Sequence, residues 1–127
     1  MYFLYNIAVR ILEILLIIPS FFNEKLGLFV TGRKQTFDLL RKEIGKKDKS
    51  IWFHCASLGE FEQGRPVLEL LAKSHPTYKI ILSFFSPSGY EVQKDYPVAD
   101  QVVYLPLDTK INAKKFLDLA RPELVVF

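Results

Sequence analysis

The 127 residues are one domain's worth of chain, and at 50% hydrophobic, 14% aromatic and 24% charged they exclude a disordered or low-complexity protein. The net charge of +3 is unevenly spread: nine Lys/Arg stand against five Asp/Glu through Lys49, and eight against nine from Ser50 onward. The single cysteine, Cys55, excludes an internal disulfide and is compatible with a reducing compartment.

Residues 1–22 hold a nearly continuous apolar run, predicted as a membrane-associating helix. Asn6, Arg10 and Glu13 interrupt it at steps of four and three, so on a helix they share one stripe. A charge at mid-bilayer costs about 2.5–3.5 kcal/mol, which weighs against a lone span. Three readings stay open: the helix spans the bilayer, lies in its interface, or packs its polar stripe on the protein while its other face enters one leaflet. A cleaved signal peptide fits poorly, because Glu13 falls in the apolar region and no small-residue cleavage site follows. Pro19 and Ser20 are expected to end or kink the helix.

Residues 23–50 form a basic connector with Lys25, Arg33, Lys34, Arg41, Lys42, Lys46, Lys47 and Lys49. Gly27 and Gly32 punctuate it, and a short helix is predicted over 35–44 from Phe37, Leu40 and Ile44 on one face. The charge run reads either as a solvated face or as contact with anionic lipid headgroups. Phe37 is nearly the only aromatic among these charges, which gives no stacking platform for nucleic acid.

From residue 51 to 127 strands alternate with helices. Strands are expected over 51–56, 79–85, 101–105 and from 124 to the end of the chain, with helices over 59–74, after Ser88, and over 113–120. Ser57 with Glu60, and Ser88 with Glu91, carry the S-x-x-E spacing of a capping box. The alternation predicts an α/β fold, a Rossmann-like doubly wound parallel sheet with right-handed crossovers. The chain stops inside its fourth apolar run, which reads as part of something larger.

The candidates for chemistry are few. There is no P-loop, and no G-x-G-x-x-G follows a strand. His54, Cys55 and His75 lack the spacing of a zinc site, so no metal is expected. Cys55 reads as buried filler and His54 as a satisfied strand histidine. What remains is Glu60, just after Gly59 at the carboxyl end of the first strand, where open α/β sheets gather their ligands. Residue by residue, both roles stay open for Glu60, helix cap and general base, with the cap the commoner.

The run Phe53-His54-Cys55-Ala56-Ser57-Leu58-Gly59-Glu60 resembles the H-x-A-S-x-G-E signature of bacterial transferases of 3-deoxy-D-manno-octulosonic acid (Kdo). Residues 83–90, 104–108 and 116–122, with Gly32-Arg33 upstream, resemble further blocks of that family in the same order. The resemblance implies the N-terminal, acceptor-binding lobe of a two-lobed GT-B glycosyltransferase. Such an enzyme moves Kdo from CMP-Kdo to a lipid A precursor (lipid IVA) in lipopolysaccharide core biosynthesis. It further implies Glu60 as general base of an inverting transfer, with Ser57, Gly59, Ser88, Gly89 and Arg33 near the acceptor. No cofactor is implied beyond the donor substrate, which a C-terminal lobe absent from these residues would bind, so the chain alone is expected to be inactive. The implied place is the cytoplasmic face of the bacterial inner membrane, against its anionic surface and without nucleic acid. The competing expectation is a non-catalytic α/β module that binds a membrane or a protein partner.

Overall fold

A computed structural model describes residues 2–20 and 24–127. The elements run α1 (Tyr2–Ser20), α2 (Glu24–Glu43), β1 (Ser50–Cys55), α3 (Leu58–Ser74), β2 (Lys79–Phe84), α4 (Pro87–Gln93), β3 (Gln101–Tyr104), α5 (Lys110–Ala120) and β4 (Pro122–Val126). The strands form one sheet in the order β3-β2-β1-β4, and every pairing is parallel. The fold is α/β and Rossmann-like, as the alternation predicts.

Strands β1, β2 and β3 are buried on both faces, which is why they read as continuous apolar runs, whereas β4 is only partly covered. Ile51, Phe53 and Cys55 of β1 point to one face with Ile80, Leu82, Phe84 and Val102, where Phe61 and Leu68 of α3 cover them. Trp52, Ile81 and Val103 point to the other, under Leu40 and Ile44 from the α2 side and Phe116 and Ala120 of α5. Period-2 alternation thus splits a single apolar run between two cores.

Several local expectations need correction. The short helix predicted over 35–44 is the end of a longer one, because α2 runs for 20 residues through both Gly27 and Gly32. Gly32 is there for packing: a Cβ on it would lie 2.2 Å from the Tyr104 ring. Beside it, the buried Thr36 hydroxyl donates to the Tyr104 carbonyl at 2.8 Å. Pro66 lies inside α3. The helix there is exposed, so water can take the carbonyl that the proline leaves unpaired. The cap of α4 is Ser86, which accepts from the Ser88 N–H, and not Ser88. Glu91 then accepts from the Tyr104 hydroxyl at 3.1 Å rather than closing a capping box.

Helix α1 lies on α2 and reaches the β3–α5 loop. Its Tyr5 hydroxyl donates to Asp108 at 2.9 Å, and Asn6 accepts the Lys110 N–H at 3.4 Å. The start of the predicted polar stripe therefore meets the protein. Phe3, Leu4, Leu12 and Ile14 are exposed on the same helix, Phe3 and Leu4 by more than 70%. Among the described residues no helix is long and apolar enough to cross a membrane. The predicted boundary between residues 22 and 23 lies outside the described residues.

Candidate functional site

Strand order places the site. The chain moves outward from β1 to β2 to β3, then returns to lay β4 on the other side of β1. The reversal leaves a crevice at the carboxyl ends of β1 and β4, the position where such sheets bind ligands. The first turn at that crevice is 56–60, between β1 and α3.

Glu60 stands in that turn, exposed, in the first turn of α3. Its Oε2 accepts the Ala56 N–H at 2.5 Å. The Ala56 carbonyl in turn accepts the Ser86 N–H at 2.9 Å, and the Cys55 carbonyl accepts that of Phe85 at 3.3 Å. The β1 and β2 turns are thus tied together through two successive peptides, and the carboxylate holds the first of them, Cys55–Ala56, by its N–H. This corrects the predicted capping box. Ser57 is the N-cap with extended backbone, but its hydroxyl makes no capping bond, and the carboxylate reaches Ala56 in place of Ser57. The second carboxylate oxygen remains for other partners.

The remaining predicted residues fall into two groups. Ser57, Gly59 and Ser88 lie on the carboxyl-edge turns, with Gly59 and Ser88 exposed and Ser57 half-buried. A Cβ on Gly59 would meet only the Ser57 hydroxyl, at 4.0 Å, so the space above it is open. The Ser88 hydroxyl lies 3.0 Å from that of Ser86. Gly89 and Arg33 are buried. A Cβ on Gly89 would sit 2.1 Å from the Phe84 ring, so glycine is needed for α4 to approach β2. Arg33, 7% exposed, donates to the Phe29 carbonyl at 3.0 Å and the Phe85 carbonyl at 2.7 Å. Its guanidinium carbon stacks 3.4 Å from the centre of the Phe29 ring, and Nε has no partner among the described residues. Burial lowers its pKa to about 10, which leaves it charged at neutral pH. A buried cation held by two carbonyls and an aromatic face joins α2 to the β2–α4 turn.

Two concavities adjoin this edge. One, of about 490 Å³, has an apolar floor of Leu26, Leu28 and Phe29 with Ser86 and Ser88 on its rim. The other, of about 210 Å³, lies between α1 and α2, where Glu13, Arg33, Lys34 and Asn112 join apolar walls. Among the described residues no group of three His, Cys, Asp or Glu could hold a metal ion.

Sequence reasoning set two neighbours of Glu60 aside. Cys55 is buried, and burial, with the Glu60 charge adding, pushes its thiol from 9.0 up to about 11. That leaves it a poor nucleophile at neutral pH. His54, half-buried on the opposite face of β1, places Nδ1 2.8 Å from the Ser83 hydroxyl. Burial lowers its pKa, against opposing effects of Ser83 and the Glu60 charge. Only the register of β1 with β2, which sets His54 beside Ser83, reveals this pair, and no one-strand pattern carries it.

A parallel sheet of this order, with a carboxylate on its switch-point turn and no dinucleotide fingerprint, defines a Rossmann-like lobe of the kind glycosyltransferases use. The family described as 3-Deoxy-D-manno-octulosonic-acid transferase (kdotransferase) matches residues 22–127. The chain is 35% identical to the 3-deoxy-D-manno-octulosonic acid transferase of Aquifex aeolicus over 96 residues, 71% of this chain and 26% of that protein. It is 33% identical to the Chlamydia pneumoniae transferase of the same name over 93 residues, 72% of this chain and 21% of that one. A bifunctional glycosyltransferase/methyltransferase of Fusobacterium nucleatum aligns over 97% of the chain at 29% identity, covering 19% of its own length. The chain belongs to the Kdo transferase family. It spans about a quarter of the length of the curated relatives it matches.

Proposed function

We propose that this chain is the acceptor-binding lobe of an inverting GT-B transferase that moves Kdo from CMP-Kdo to a lipid A precursor. Glu60 is the general base. The observation that carries this is the exposed carboxylate at the switch-point turn, held by one oxygen on the Ala56 N–H. An acceptor hydroxyl placed on the other oxygen gives up its proton as its own oxygen attacks the anomeric carbon, and the bond to the CMP phosphate breaks. No metal or cofactor enters this scheme. CMP-Kdo would be held mainly by a second lobe, so the chain by itself is expected to be inactive.

The other acceptor assignments divide by exposure. Ser57 and Ser88 offer hydroxyls at the edge, and Gly59 keeps the approach open. Gly89 and Arg33 act by shaping the β2–α4 turn from below. The groove over Leu26, Leu28 and Phe29 suits an acyl chain.

Membrane contact on the cytoplasmic face of the inner membrane falls to α1. Its exposed apolar face lies at the same edge of the sheet as Glu60, since Tyr5 and Asn6 meet the β3–α5 loop. The basic connector contributes less than its charge suggests. Arg33 is buried, Arg41 pairs with Asp38, and Lys49 pairs with Glu123. Lys46 and Lys47 precede β1 and so lie at the opposite edge, about 20 Å away by the length of β1. Lys34 lines the wall of the α1–α2 cavity, and an anionic headgroup entering there would meet it.

The test joins this lobe to its donor-binding lobe and measures transfer of labelled Kdo from CMP-Kdo to lipid IVA, beside flotation with anionic vesicles. Transfer together with flotation is expected. Flotation without transfer would favour the non-catalytic module, a reading that the exposed apolar face of α1 alone would satisfy.

A further inference from the structure

The crevice holds a second polar group that the scheme above leaves unused. His54 of β1 lies in register with Ser83 of β2, whose side chain is fully buried. The Ser83 hydroxyl is 2.8 Å from Trp52 Nε1 and 2.8 Å from His54 Nδ1. An indole N–H only donates, so Ser83 accepts from Trp52. The Ser83 hydroxyl keeps its own proton, and His54 Nδ1 stands at hydrogen-bond distance to accept it. A neutral imidazole that accepts at Nδ1 carries its own proton on Nε2.

The ring is held as well as the proton. The Trp52 indole and the Phe127 ring flank the imidazole at 6.5 Å and 5.9 Å between centroids, and Phe127 meets it edge-on. Nε2 has no hydrogen-bond partner among the described residues. Nor is it one of the buried unpartnered side-chain atoms, which are Arg33 Nε and Arg121 Nε. His54 stands one residue before the carboxyl end of β1, on the strand that leads directly into the Glu60 turn, where the Glu60 charge acts on it.

We propose that His54 orients the acceptor: its Nε2–H, fixed by the Trp52–Ser83 relay, donates a hydrogen bond to a sugar oxygen next to the hydroxyl that Glu60 deprotonates. This rests on the acceptor-lobe reading above. The neutral state matters to the chemistry. An imidazolium beside Glu60 would pair with the carboxylate and weaken it as a base, whereas a neutral N–H orients an uncharged sugar oxygen without that effect. Burial, which disfavours the charged ring, works in the same direction.

The protein has two histidines, so 15N-histidine labelling reads each one separately. His75 is an internal contrast: its Nδ1 lies 3.2 Å from the Leu71 carbonyl, which can only accept, so there it is Nδ1 that carries a proton. Long-range 1H–15N spectra at pH 7 are expected to show His54 as Nε2–H, and Ser83→Ala is expected to mix its tautomers. An Nδ1–H tautomer at His54 in the unsubstituted protein would overturn the relay. Titration with lipid IVA in micelles is expected to shift the His54 Nε2 resonance, and an unmoved resonance at saturation would overturn the contact. This readout needs no transfer, so it stands apart from the failure of Glu60 as base. In the two-lobed enzyme, His54→Phe is expected to raise the lipid IVA KM about tenfold, the size of one neutral hydrogen bond. His54→Gln, which keeps an N–H near the Nε2 position, should restore most of it. An unchanged KM in a folded His54→Phe enzyme would contradict the proposal.

Discussion

The sheet and helix α1 are both built from apolar runs, and they dispose of them in opposite ways. In β1, Ile51, Trp52, Phe53 and Cys55 are all buried, because helices cover both faces of the strand. In α1, Leu4, Leu12 and Ile14 remain exposed, because one helix resting on another buries only a stripe of its surface. Hydrophobicity thus marks both regions equally, and the number of covering layers decides between core and surface. The exposed run is left as surface, and the buried run is what holds Glu60 in place.

Substitutions can break that contrast. The largest effect is expected at Phe61, fully buried between Phe84 and Tyr96 at ring distances of 5.7 Å and 5.0 Å. Phe61→Ala should lose about 3–5 kcal/mol of unfolding free energy in urea. Leu12→Ala on α1 should stay within about 0.5 kcal/mol. Equal losses would mean that α1 is as deeply built into the fold as the sheet.

Cys55 sharpens the comparison next. With its thiol pushed from 9.0 to about 11 it carries about a hundredth of the usual thiolate at pH 8, so alkylation should be at least about a hundredfold slower than in urea. The sign of the linked stability follows: the unfolded chain ionises first, so stability is retained below pH 9.0 and falls as pH rises toward about 11. Rapid labelling of the folded protein would show that the sheet opens at β1.

Smaller effects separate packing glycines from open ones. Gly89→Ala meets the Phe84 ring and should lose about 1–3 kcal/mol. Gly59→Ala meets open space and should stay within about 0.5 kcal/mol of the parent in the same unfolding measurement.

The contrast also explains what the sequence could reveal. Strands β1, β2 and β3 were legible because doubly covered parallel strands leave continuous apolar runs; β4, partly exposed, was legible from its short apolar run, and the ends of all four agree with the structure to within two residues. The length of α2 was hidden because Gly32 reads as a break when taken alone. It is a contact, and the Tyr104 ring that explains it lies 72 positions away in the chain. Glu60 was found as a residue and as a family position, but its bond was not, because the reach to Ala56 depends on how the turn folds. The Ser57 hydroxyl was given a cap it does not make. The Trp52–Ser83–His54 relay was invisible for a related reason: a cross-strand register joins residues that no local spacing relates.

The central claim is that the Glu60 carboxylate takes the acceptor's proton, and Glu60→Gln in the two-lobed enzyme tests it most directly when transfer and stability are measured on one preparation. Kdo transfer to lipid IVA is expected to fall by at least about a hundredfold. The unfolding free energy should move by no more than the ~0.5–2 kcal/mol of a lost helix cap. Transfer at close to the parent rate in that variant would contradict the account and leave Glu60 as a cap alone.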